Sequence, residues 1–139
     1  MRSVVDRSEP LQISITASRR LEDGMESTAR QDATVRSLIS KDLEGNPGKE
    51  LSIFAIEYPP GNVDPVHTHH AQAFVYVLEG SIVMQVKGGM PVTLAPGQTF
   101  YEGPDDVHVV GRNTSETAPA RFLVIMVKDK GAPILTPVN

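Results

Sequence analysis

The 139-residue sequence contains no cysteine and no tryptophan. Without thiols, disulfides, thiolate zinc sites and cysteine nucleophiles are excluded, and any metal must be held by nitrogen and oxygen donors. Aromatic residues make up only 5%, so the core has to be mainly aliphatic. Positive charge is also in short supply, with 13 basic residues against 17 acidic ones and a net charge of −4. A nucleic-acid or anionic-membrane partner needs a basic face, so this balance argues against both. No apolar run approaches the roughly 20 residues of a membrane-spanning helix. The opening MRSVVDRSEP holds no apolar segment of signal-peptide type, and the cytoplasm is the expected address.

What is present reads as β structure. The length fits one domain with a core of useful size, and 40% hydrophobic with 22% charged residues is ordinary for a soluble globular chain. Residues 11–17, LQISITA, alternate apolar and polar side chains and predict a strand with one buried face. Residues 18–32 are polar without a period and read as a loop or short helix. Residues 1–32 are therefore expected to form an arm carrying one strand, lying on a sheet edge of its own subunit or of a partner. From residue 33 to 139, short apolar runs recur between Gly, Pro, Asn and Asp turn clusters. Strands are predicted at 35–40, 51–58, 74–78, 82–86, 92–94, 99–101, 107–110 and 121–127, with an extended tail. That spacing, with no long helical pattern, predicts an all-β sandwich or barrel of nine to eleven strands.

Three of the four histidines fall in GNVDPVHTHHAQAFVYVLEG, residues 61–80. His67 and His69 are two apart, so on a strand both imidazoles face one side and make a bidentate metal clip. Read alone, the pair also fits a polar strand edge. His70 has the opposite parity and is expected at the rim. His108, in VHVV, fits a satisfied core histidine as well as a ligand. Tyr58, Tyr76 and Tyr101 fit pocket lining or plain packing. Glu57, Asp64, Glu79 and Glu102 are potential acids or supporting partners, most of them expected to be solvated. Residues 74–78 are apolar on both faces, more than a two-layer sandwich needs. The excess predicts cover by the arm or by a second subunit, and hence a homodimer.

These two blocks resemble the paired motifs of the cupin superfamily. The first motif is Gly, five residues, His-x-His, three or four residues, Glu, six residues, Gly. Here Gly61, His67, His69 and Gly80 match it. The second is Gly, five residues, Pro-x-Gly, two residues, His, three residues, Asn. Here Gly97 and His108 match with the spacing kept. The resemblance implies a double-stranded β-helix, the jelly-roll barrel of the cupin type, with His67, His69 and His108 at the metal-ligand positions. Three departures stand out. The glutamate position is Ala73, and the nearest substitute donor is Gln72, which would have to bend inward. Gly103 and Asp105 occupy the Pro and Gly positions. Arg112 stands where Asn is expected, with Asn113 one place late. The expected ligand set is thus His67, His69, His108 and Gln72, for a divalent iron, nickel, manganese or zinc ion. With no carboxylate the ion would keep about two net positive charges, favouring anionic ligands or chelating enolates. The resemblance implies either a metal-dependent enzyme on a small organic molecule (dioxygenase-, isomerase- or lyase-like) or a non-catalytic small-ligand binding or sensing module with a weak or empty site.

Overall fold

The computed structural model describes residues 11–12 and 32–138. The strands among them are β1 (Leu11–Gln12), β2 (Thr34–Asp42), β3 (Lys49–Tyr58), β4 (His67–Thr68), β5 (Gln72–Glu79) and β6 (Ile82–Val86). They continue with β7 (Val92–Leu94), β8 (Thr99–Glu102), β9 (His108–Asn113), β10 (Ala120–Asp129) and β11 (Thr136–Pro137). No helix occurs among the described residues. The strands form a six-stranded sheet, β1-β2-β3-β10-β5-β8, and a five-stranded sheet, β11-β4-β9-β6-β7. All pairings are antiparallel, and the two sheets face each other as an all-β jelly roll. Of the expected strand at 11–17, Leu11 and Gln12 pair with Val35 and Thr34. Its other residues, and the link at 18–31, lie outside the described residues.

Alternation along the strands builds the core. On β5, Ala73, Val75 and Val77 are buried, while Phe74, Tyr76 and Leu78 face outward. On β10 the buried set is Ala120, Phe122, Val124 and Met126. Ile82 and Met84 of β6 meet them from the other sheet. Tyr58 of β3 packs edge-on against Phe122 with ring centroids 4.8 Å apart. At the far end of β10 the inward position goes to Lys128, buried and held by Glu50 Oε2 at 2.6 Å and by the Ala132 carbonyl at 2.9 Å.

Two irregularities position the site. β9 carries a β-bulge: Gln85 pairs with Val110 and Val86 with His108, so Val109 is an extra residue. A bulge reverses the in–out alternation beyond it. That is why both His108 and Asn113 point inward although they are five positions apart, an odd offset. Asn113, not Arg112, does the structural work of the motif's asparagine. Its Nδ2 donates to the carbonyls of Tyr58, Pro59 and Ala118, and its Oδ1 accepts from the Ser115 amide.

Gly80 closes β5 with φ +76°. A Cβ there would sit 2.8 Å from the Pro119 carbonyl oxygen and 2.9 Å from Ala120 Cα. Both the left-handed backbone and the backbone contact oppose a side chain. Gly80→Ala is expected to destabilise the fold by about 2–4 kcal/mol, read as the shift in urea midpoint. An unchanged midpoint would show that this corner relaxes freely.

Candidate metal centre

β4 is short and lies between two neighbours. His67 pairs with His108 of β9 on one side and with Pro137 of β11 on the other. Directly opposed residues on an antiparallel pair bring their side chains together, and the His67 and His108 rings lie 4.7 Å apart. His69, two residues on, keeps the same face and lies 4.8 Å from His67 by ring centroids. The chain then turns at His70, which has a left-handed backbone (φ 54°) and an exposed side chain bonded to Thr68 Oγ1. This turn carries the chain from the five-stranded sheet into the six-stranded one, where β5 begins.

The fourth member comes from β8. Glu102 is 2% exposed, and its carboxylate oxygens lie 3.3 Å from His69 Nε2 and 3.2 Å from His108 Nδ1. One donor atom from each of His67, His69, Glu102 and His108 can be chosen so that all lie within 4.8 Å of one another. Glu102 pairs directly with Ala73, the residue at the position of the first motif's glutamate. The carboxylate is therefore present, but it enters from the neighbouring strand over an alanine too small to block it.

Hydrogen-bond inventory tests whether these residues suit a cation. His67 Nδ1 lies 2.8 Å from the Pro65 carbonyl and His69 Nδ1 lies 2.7 Å from the Ile134 carbonyl. A carbonyl only accepts, so each Nδ1 carries the proton and each neutral ring aims its Nε2 lone pair inward. There those lone pairs meet an acceptor-only carboxylate. His108 Nδ1, 3.1 Å from His67 Nε2, can supply one proton at most. Glu102 Oε1 and His108 Nε2 are buried without a hydrogen bond. Converging acceptors short of donors need a positive charge between them, either an added proton or a metal ion. The set of three imidazoles and a carboxylate fits a divalent metal.

The titration directions agree with this crowding. Burial holds His67 and His108 below the usual histidine range. Burial also pushes His69 down, but the bond its protonated Nε2 would make to Glu102, and the charge of that carboxylate, outweigh it and the net shift is upward. Burial raises the Glu102 carboxyl, yet the same bond from a protonated His69 and the charges of the three imidazoles bring it below its ordinary value. Beside the cluster, Tyr58 donates its hydroxyl to Asp64 Oδ2. Burial pushes both groups up, Tyr58 well above its ordinary value.

Of the residues anticipated from sequence, His67, His69 and His108 come together, and His70 stays outside, as parity requires. Gln72 does not join them. It is the first residue of β5 and faces outward, exposed, where its Oε1 accepts from the Tyr101 hydroxyl at 3.3 Å. An inward bend would need the strand to lose the alternation that buries Ala73. The site therefore does not lack a carboxylate, and the expectation of about two net charges on an ion falls to about one. Asp64 is half-buried beside the cavity, while Glu57 and Glu79 form surface ion pairs with Arg121. Tyr58 lines the cavity, and Tyr76 and Tyr101 are exposed on the outer face.

A family profile described as Cupin domain matches residues 54–126. The chain belongs to the cupin family. Among solved structures, this cupin is similar to the DMSP lyase DddQ from Ruegeria pomeroyi, at 22% identity and TM-score 0.62, over 76% of this chain and 51% of the lyase. The chain thus spans about half the length of that relative. It is similar to the polyketide cyclase RemF from Streptomyces resistomycificus at 21% identity and TM-score 0.63, over 100% of this chain and 87% of the cyclase. A predicted oxalate decarboxylase from Thermotoga maritima matches at 18% identity and TM-score 0.62, over 92% of this chain and 99% of that one. Likeness at these identities is likeness of fold. No curated protein matches the sequence of this cupin. No helix among its described residues is long and apolar enough to cross a membrane.

Proposed function

We propose that this cupin is a divalent-metal-dependent enzyme acting on a small organic molecule. In this reading His67 and His69, through Nε2, together with His108 and Glu102 hold the metal. The observation that carries it is the donor shortage at the cluster, where four buried residues turn lone pairs toward one another within 4.8 Å. A bound iron, nickel, manganese or zinc ion would supply Lewis acidity and anchor an oxygen-bearing substrate. The chain's own contribution is orientation and exclusion of water. The Pro65 and Ile134 carbonyls fix two imidazoles, and the apolar walls of both sheets surround the remaining space.

Elemental analysis after supplementation with each metal tests the reading. Near-stoichiometric metal is expected in the unaltered protein. His69→Ala should lose most of it, and His70→Ala should keep it. Equal loss in both variants would remove the assignment. Failure to load any metal would leave the small-ligand binding or sensing module as the better description.

The outer face of the six-stranded sheet bears on assembly. Phe74, Tyr76 and Leu78 are 42%, 42% and 48% exposed, with Tyr101 of β8 beside them at 47%. A contiguous exposed apolar face of this kind is characteristic of an association surface. The reading includes a homodimer through this face. Light scattering at micromolar concentration is expected to give about twice the 15.1 kDa chain mass. A clean monomer would refute it.

A further inference from the structure

The space enclosed beside the histidines is strongly one-sided. The centre of a water molecule can move through about 40 Å³ of it, so the space that atoms can fill is several times larger. One end presents His67, His69, His108 and Glu102, with Asp64 and Tyr58 next to them. Elsewhere the walls are apolar, with Phe54, Ile56 and Val75 from the six-stranded sheet, Met84 from the other, and Ile134 and Leu135 from the tail. Among the described residues no lysine or arginine lines it. The buried lysine, Lys128, is engaged by Glu50 and Ala132.

Charge balance then restricts what can enter. A divalent ion with Glu102 leaves about one net positive charge, and Asp64 stands nearby as an additional acid. One anionic head group on the metal brings the balance to about zero. A second carboxylate on the same molecule would be buried against an apolar wall where no cation among the described residues meets it, a costly arrangement. From this we infer that the cavity takes a small, mainly apolar molecule that is neutral or singly anionic and binds through oxygen at one end, not a dicarboxylate. The inference rests on the metal centre proposed above and names the class of substrate for it.

Two hydroxamates with the same chelating head separate the possibilities, with the cobalt(II)-loaded protein as the receptor and its visible absorption as the readout. Butyrohydroxamate carries an apolar tail, and succinic acid monohydroxamate ends the tail in a carboxylate. Butyrohydroxamate is expected to bind at least tenfold more tightly. Equal binding, or preference for the carboxylate, overturns the inference. Cobalt content measured before and after titration keeps this failure distinct from failure of the metal centre, which would appear as protein that takes up no cobalt. Ile56 is only partly buried, so its replacement by arginine puts a cation on the wall with modest disturbance. Ile56→Arg is expected to remove most of the tenfold preference at unchanged cobalt content. A preference that persists in a cobalt-loaded, folded variant overturns the charge argument. If that variant does not fold, the comparison of the two hydroxamates on the unaltered protein still decides.

Discussion

Glu102→Ala is expected to weaken metal binding by about a hundredfold or more, beyond the 10–100-fold typical of losing a supporting partner, because a charged donor itself is removed. The distinctive part is its rescue. Ala73 and Glu102 are direct partners across β5 and β8, and both are buried. A glutamate at 73 in the Glu102→Ala background would project from the adjacent strand into the space just vacated. Ala73→Glu with Glu102→Ala is expected to recover most of the metal content. Ala73→Glu alone should be worse than either, since two carboxylates would share one buried site and an already filled volume. Equilibrium dialysis of the three variants checks this. Metal content unchanged in Glu102→Ala would refute the role of the carboxylate.

Ending the chain at Ala132 is the second change with a large expected effect. The tail supplies β11, whose Thr136 and Pro137 pair with Thr68 and His67. It also supplies the Ile134 carbonyl that accepts from His69 Nδ1, and a bond from the Val138 amide to the Val66 carbonyl. Both histidines of the clip would lose support at once, while the long β3–β10–β5 pairings stay intact. Metal affinity is expected to fall about 10–100-fold, with the far-UV circular dichroism spectrum still that of a β protein. Ile134→Ala keeps the carbonyl and should retain the metal, separating the hydrogen bond from side-chain packing. A truncated chain that binds metal normally would show that the tail only covers the site.

Local pattern made most of the fold legible. The short apolar runs at 74–78 and 121–127, with Gly and Pro clusters between strands, mark the strands, while which of their two apolar faces enters the core emerges only from the burial. The parity of His67 and His69, with His70 excluded, is equally local. Glu102 was harder to place because its position depends on register between strands that share no short-range pattern. A hint existed, however. Ala73 leaves an unusually small inward residue at the motif's carboxylate position, and the acid of TFYE can lie opposite it. Gln72 was the nearest donor in sequence, but one residue of displacement on a strand is a change of face. The late Asn113 has a similar origin. The bulge at Val109 adds one residue, and no count along the chain reveals a bulge.

Glu102 ends an edge strand of the six-stranded sheet, while His67 and His108 belong to the five-stranded one. An ion held by all three would be a rivet between layers that otherwise meet through side-chain packing. Heat resistance would then follow the free metal concentration, since a ligand bound only by the folded state adds about 2.7 kcal/mol at one hundred times its dissociation constant. In a cell where that concentration drops, this cupin would lose rigidity at its own mouth, and its lifetime as a folded protein would track metal supply.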